Sequence, residues 1–201
     1  MKLEVSIGEA VDKYSILELK SQLIRIPDKL TEIEKERTSI LDECATYIAT
    51  SPFFYSLLLH INKEIWLMTD KIKLLTPMDK AFAYIAHDIF EYNQIRFRLK
   101  TIFNKLHGSP LIEQKSYSES HCHLIVPTEE CLYSKIAEIN YLAIRYDTIS
   151  FETPADIVPI IKTLFKNTNI LYDSNEYWYP NTVYLPDYHL PSNVPRDVYS
   201  F

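Results

Sequence analysis

Between Pro77 and Gly108, the residues Ala81, Ile85, Tyr92, Ile95, Leu99, Ile102 and Leu106 recur at helical spacings. They predict a long helix with one seam turned to a core. Beside the seam run Asn93, Arg96, Lys100 and Asn104, all within about 80° of arc at about 3.6 residues per turn. Such a polar row is either half-buried and bonded or presented to a ligand. Upstream, Ser6 and Glu9 have capping-box spacing and predict a first helix running to about Arg25. Its apolar residues point in several directions, with Ala10, Tyr14, Leu17 and Ile24 on one side and Ile16, Leu19 and Leu23 on another. A helix apolar on most sides is central to its bundle. Pro27 opens a second helix, about 28–48, with Leu30, Ile33, Ile40, Leu41, Cys44 and Ile48 inward. In a third, begun by Ser51-Pro52, Phe54, Leu58, Ile61, Ile65, Met68, Ile72 and Leu75 alternate by four and three. That seven-residue repeat suits antiparallel packing against the fourth helix.

After Gly108, placed where a left-handed C-cap belongs, the chain turns loop-like as far as His121. His123–Val126, Thr148–Glu152 and Asn169–Tyr172 have strand character. Thr128-Glu129-Glu130 starts a helix, and another is expected at about Ala155–Lys166. Ile139–Tyr146 fits either a helix or a strand. The alternation predicts a small parallel unit. The last residues hold Tyr177, Trp178, Tyr179, Tyr184, Tyr188, Tyr199 and Phe201 among four prolines. This is too aromatic for free disorder, so an extended strap on the body is expected. The predicted fold is α+β. It comprises an antiparallel four-helix bundle (1–108), a linker (109–121), a small α/β unit (122–173) and an extended aromatic and proline-rich tail (174–201).

Composition narrows the chemistry. At 201 residues and 47% apolar, the chain can bury a real core. No apolar run reaches the roughly 18 residues a membrane span needs, and the acid in Met-Lys-Leu-Glu-Val-Ser is unlike a signal peptide. A soluble, cytoplasmic protein is expected. Three widely spread cysteines, Cys44, Cys122 and Cys131, make a disulfide framework improbable. With Gly8 and Gly108 the only glycines, neither the dinucleotide fingerprint nor the Walker loop can be written. The net charge of −6 falls entirely after residue 107, and the basic run Arg96, Arg98, Lys100 and Lys105 is too small a surface for nucleic acid.

Several motifs resemble a known family. Gly8-Glu-Ala-Val-Asp12-Lys13-Tyr-Ser-Ile16-Leu-Glu-Leu-Lys20 is similar to the G-E-x-V-D-K-x-T-I-L-E-I-K opening of a small, functionally uncharacterised bacterial helical family. The resemblance continues through Asn62-Lys-Glu-Ile-Trp66 and Asp70. It resumes at Asn93-Gln-Ile-Arg96-Phe-Arg-Leu-Lys100, Asn104 and Glu113-Gln-Lys115-Ser116-Tyr117, spanning about residues 3–117. Ala10, Tyr14, Thr69 and Gln114 depart from the family pattern. Members are typically encountered among surface-polysaccharide and glycosyltransferase genes, so the resemblance implies a place in surface-glycan assembly. Asn175-Glu-Tyr-Trp178-Tyr179-Pro180 is similar to a phrase near the end of some tetratricopeptide-linked glycosyltransferases.

Glu9, Lys13, Ile16 and Lys20 share about 60° of the first helix. With Arg96, Lys100 and Lys115 they would form a cationic pocket for a phosphate, a nucleotide-sugar diphosphate or a carboxylate, Arg serving the planar part and Lys the point charges. Trp66 would offer a stacking face, and Asn62, Asn93 and Asn104 orienting amides. Asp12 and Tyr117 complete the candidate set, with Glu9 or Asp12 as base if a reaction occurs. The competing expectation is structural: Glu9 only completes its box, Lys20 faces Glu34, and Asn62 bonds Asn93 across the turn at Pro77. His121 and His123 would face one way on a strand, but no second pair has zinc spacing, so no metal and no cofactor are expected. The leading expectation is an accessory or ligand-binding protein of surface-glycan biosynthesis holding an anionic sugar or sugar-nucleotide ligand. The alternatives are a glycosyl or sugar-nucleotide transferase, and a structural helical module pairing with a glycosyltransferase or with itself.

Overall fold

Capping chemistry and proline decide where the first helices start and stop. In the computed structural model, which describes residues 4–113, 120–165, 170–171, 181–192, 194 and 196, helix α1 spans Ile7–Leu23. The Ser6 hydroxyl accepts from the Glu9 N–H at 3.2 Å. The helix stops short of Arg25, with its C-cap Ile24 already extended at φ −83°, ψ 135°, and Pro27 holds Ile26 extended at φ −86°, ψ 116°. Helices α2 (Pro27–Thr50) and α3 (Pro52–Ile72) both begin on a proline, where the missing N–H costs nothing. Helix α4 (Lys80–Leu106) starts later than Pro77. The Asp79 carboxylate first closes a turn by accepting from the Thr76 N–H and hydroxyl at 2.7 and 2.9 Å. Gly108, at φ 62°, ends α4 in the left-handed conformation its position predicts.

The chain divides into two units, Met1–Gln114 and Lys115–Phe201. In the first, α1 packs against α2, α3 and α4, as its many-sided apolar surface requires. Val11, Leu17, Leu57, Leu58, Ile61, Leu99 and Phe103 form the centre of this core. The predicted α4 seam is only half realised. Ile95, Leu99 and Ile102 are buried, but Ala81 is exposed and Ile85, Tyr92 and Leu106 are half-exposed. Residues 109–113, expected to be a linker, remain attached to the helices: the Ser109 hydroxyl accepts from the Ile7 N–H at 3.2 Å.

The second unit is built on a parallel sheet in the order β3-β2-β1-β4, from β1 (His121–Ile125), β2 (Thr148–Glu152), β3 (Ile170–Leu171) and β4 (Thr182–Tyr184). Helices α5 (Glu129–Ser134), α6 (Ile136–Ala143) and α7 (Val158–Leu164) complete it, so the ambiguous stretch after Ile139 is helical at its start. Cys122, Leu124, Ile149 and Phe151 are buried sheet residues, as are Ile139 and Leu142 of α6. Thr182–Tyr184 is a sheet strand in register with His123–Ile125, and the following Leu185 is fully buried. The rest of the aromatic phrase, 172–180, lies outside the described residues. The fold is α+β and mostly helical. Among the described residues no single helix is long and apolar enough to cross a membrane.

Candidate functional site

Helix α1 meets α4 at Gly8. A Cβ there would lie 2.8 Å from the carbonyl carbon of Lys100 and 2.9 Å from its Cα, so only glycine permits the approach. The closeness lets the Gly8 N–H donate to Asn104 Oδ1 at 2.7 Å, with the Asn104 side chain buried. With Ile7 bonded to Ser109, Glu9 to Ser6, and the Ala10 N–H to the Ser6 carbonyl, the first four amides of α1 all have protein acceptors. That end of the helix would otherwise suit an anion, but its donors are already engaged.

One turn on, Asp12 is 1% exposed. Its Oδ1 accepts from Asn62 Nδ2 and Arg96 Nε, both at 2.9 Å, and its Oδ2 from Arg96 Nη2 at 2.6 Å. Asn62 also donates to the Ser15 hydroxyl at 2.7 Å, which in turn donates to the Asp12 carbonyl. Three helices thus converge on one carboxylate, held by the two-pronged guanidinium geometry that makes such pairs directional. Burial works against the Arg96 charge, but the hydrogen bonds and attraction of Asp12, aided by Glu9 and Glu113, raise its pKa above the ordinary value.

A turn further along α4, Lys100 Nζ donates to Glu9 Oε2 at 2.8 Å and to Glu113 Oε2 at 2.6 Å. Its side chain is only 12% exposed. Burial lowers its pKa, and the hydrogen bonds to Glu113 and Glu9 more than reverse that. Among the described residues the cluster therefore sets two cations against three carboxylates.

Of the sequence-predicted residues, Glu9, Asp12, Asn62, Arg96, Lys100 and Asn104 come together along this α1–α4 contact. Lys13 does not: it pairs with Glu36 of α2 at 2.7 Å. Glu34 is taken by Arg37 at 2.8 Å rather than by Lys20. Asn93 donates to the Ile89 carbonyl of its own helix at 2.8 Å, so the expected bond between the two asparagines is absent. Trp66 is half-buried on α3 one turn beyond Asn62. Lys115 and Tyr117 lie outside the described residues. The sequence pattern assigns no site role to Gly8, Ser15, Ser109 or Glu113, all of which join the cluster. The signal for Gly8 was its scarcity, one of two glycines in the chain. An open hollow lined by Leu30, Thr31, Glu34, Lys35, Thr38 and Ser39 shares no residue with the cluster.

The second unit carries its own polar ladder. His121 Nδ1 and Nε2 lie 2.7 Å from Thr148 Oγ1 and 2.9 Å from Ser150 Oγ. His123 Nδ1 and Nε2 lie 2.6 Å from the same Ser150 and 3.5 Å from Glu152 Oε2. The Ser150 hydroxyl, with one proton and two lone pairs, can donate to at most one of the two imidazoles. Cys122, between them in sequence, faces the other way, and burial pushes its thiol up to about 12. That suppresses the thiolate a nucleophile needs. No group of three metal-ligating side chains occurs among the described residues.

Burial, then the neighbouring His123, lowers the His121 pKa, and burial lowers that of His107. Both histidines bind protons more readily when unfolded, so stability is fully present above the unfolded value of about 6.5 and declines as pH falls below it. Urea titrations across this range should show that slope, and His121→Asn should flatten it. An unchanged slope would remove His121 from the account.

Fold and site together define a two-unit α+β protein whose helical unit is organised around a buried, ion-paired cluster. The chain belongs to a family of unknown function, DUF6165, whose model matches residues 1–132. The match takes in the whole helical cluster and continues through β1 into α5. No curated protein and no solved structure matches the chain.

Proposed function

We propose that this chain is an accessory, ligand-binding protein of surface-glycan biosynthesis, working in the cytoplasm. It takes an anionic sugar-type ligand, such as a nucleotide sugar, at the Arg96–Lys100 edge of α4. The observation that carries this reading is the way Lys100 is held. Its ammonium is nearly buried yet bonded to a carboxylate, Glu113, that belongs to no helix and is itself 40% exposed. A phosphate or carboxylate replacing Glu113 keeps the lysine paired, so binding exchanges one anion for another and leaves no buried charge uncompensated. The link to glycan assembly rests on the family resemblance of the motifs that supply Glu9, Arg96, Lys100 and Glu113.

The exchange makes Glu113→Gln the informative variant. Calorimetry with a nucleoside diphosphate sugar and with inorganic pyrophosphate should show binding about two- to fivefold tighter than wild type, since an exposed pair competes with at most about 1 kcal/mol. Lys100→Ala should abolish it. Equal affinity of Glu113→Gln and wild type, or no binding by either, rejects the site. Product formation in the same mixtures would favour a transferase instead.

A second reading has its own support. Asp12 accepts from Asn62 and Arg96, and Asn104 Oδ1 accepts from the Gly8 N–H, as a clamp fixing helix register requires. On that reading the helices form an antiparallel four-helix bundle that serves as an interaction module for a glycosyltransferase.

A further inference from the structure

From Lys63 to Gln94 the chain runs along the second half of α3, around Pro77, and back along the first half of α4, and no residue of this hairpin is buried. The buried positions of both helices lie at the other end, Leu57 to Asn62 on α3 and Ile95 to Asn104 on α4. The pattern in the hairpin is nonetheless that of packed helices. Ile65, Met68 and Ile72 recur by three and four, as do Phe82, Ile85 and Ile89. Two helices alone cannot cover such a seam, whereas four can. Leu74 and Met78 stand 86% and 92% exposed at the tip of the hairpin; Leu67 and Tyr84, also exposed, lie about 130° round their helices from the half-buried seam.

Charge is distributed unevenly along the same hairpin. The tip holds Lys71, Lys73 and Lys80 against Asp70 and Asp79, and the base holds Glu64, Asp88 and Glu91 against Lys63. We propose that this hairpin is a dimerisation surface, on which a second copy of the chain packs hairpin to hairpin about a two-fold axis near Met68 and Ile85. In that arrangement each lysine-rich tip lies on the acid-rich base of the partner copy, the self-complementary pattern a two-fold interface demands. An anionic lipid surface would gain from the tip but be repelled by the base, and so fits less of the hairpin. The overlapping face is about 20 Å long and about 20 Å across two helices. At about 800 Å² over both copies this is the size of a weak, transient interface rather than a stable one, so the dimer forms in a concentration-dependent way.

Sedimentation velocity over a concentration series tests this. Wild type should pass from monomer to dimer. The tip triplet Lys71→Glu, Lys73→Glu, Lys80→Glu and the base triplet Glu64→Lys, Asp88→Lys, Glu91→Lys should each remain monomeric with an unchanged circular dichroism spectrum. Mixing the two should restore a heterodimer, because each then meets its opposite. A wild type monomeric well above micromolar concentration overturns the proposal, as does a dimer indifferent to both triplets. So does a mixture that stays monomeric, or a monomer that binds anionic vesicles through Leu74 and Met78.

Discussion

Replacing Asp12 with alanine is expected to lower the unfolding free energy by about 3–5 kcal/mol, the usual cost of removing one member of a buried pair. The carboxylate accepts three hydrogen bonds from two other helices. Without it, Asn62 loses one acceptor and the Arg96 guanidinium loses its counter-ion. Arg96 is 26% exposed and recovers some hydration, which places the result toward the lower figure. The double variant Asp12→Leu, Arg96→Met should recover much of the loss, because an apolar pair of similar volume is often neutral. Urea unfolding of the four members of this cycle measures the coupling directly. A loss below about 1 kcal/mol for Asp12→Ala would place the pair among ordinary surface contacts.

The second large effect is expected at Gly8→Ala. The added methyl would meet backbone atoms of Lys100 rather than the end of a flexible side chain, so the clash cannot be relieved by a rotamer change. Overpacking typically costs about 1–3 kcal/mol, and a backbone obstacle puts this case at about 3 kcal/mol or more. The helices must part, and the bond from Gly8 to Asn104 stretches with them. Slower amide exchange at residue 8 than at its neighbours in wild type, lost in the variant, is the specific signature. A Gly8→Ala protein as stable as wild type would show that α1 and α4 do not approach as described.

The helices were legible because their punctuation is chemical. Ser6 with Glu9, the prolines at 27 and 52, and Gly108 each act within a few residues of chain, where sequence is explicit. Much of the cluster was legible too, since Arg96, Lys100 and Asn104 are polar beside a seam and Asp12 sits on a helix apolar on most sides. Periodicity supplies an angle, however, and not a neighbour. Asp12 and Lys13 differ by about 100°, and that single step sends one to α4 and the other to Glu36 of α2. Asn62 and Asn93 were matched by distance from the turn at Pro77, but Asn62 faces α1 and Asn93 bonds back within α4. Glu113 escaped a role because it lies past the end of any repeat. β4 escaped because three residues beside prolines are too few to show alternation. Periodicity likewise announced the seam of the α3–α4 hairpin without revealing that its distal half holds no buried residue.

The bond from the Ile7 amide to Ser109, with the one from Gly8 to Asn104, brings the opening and closing segments of the helical unit side by side. Whatever loosens one end therefore loosens the other. Peeling back the first turn of α1 would withdraw Glu9 from Lys100 and release Ser109 in the same movement. Fraying here is a shared event of the two ends of the helical unit.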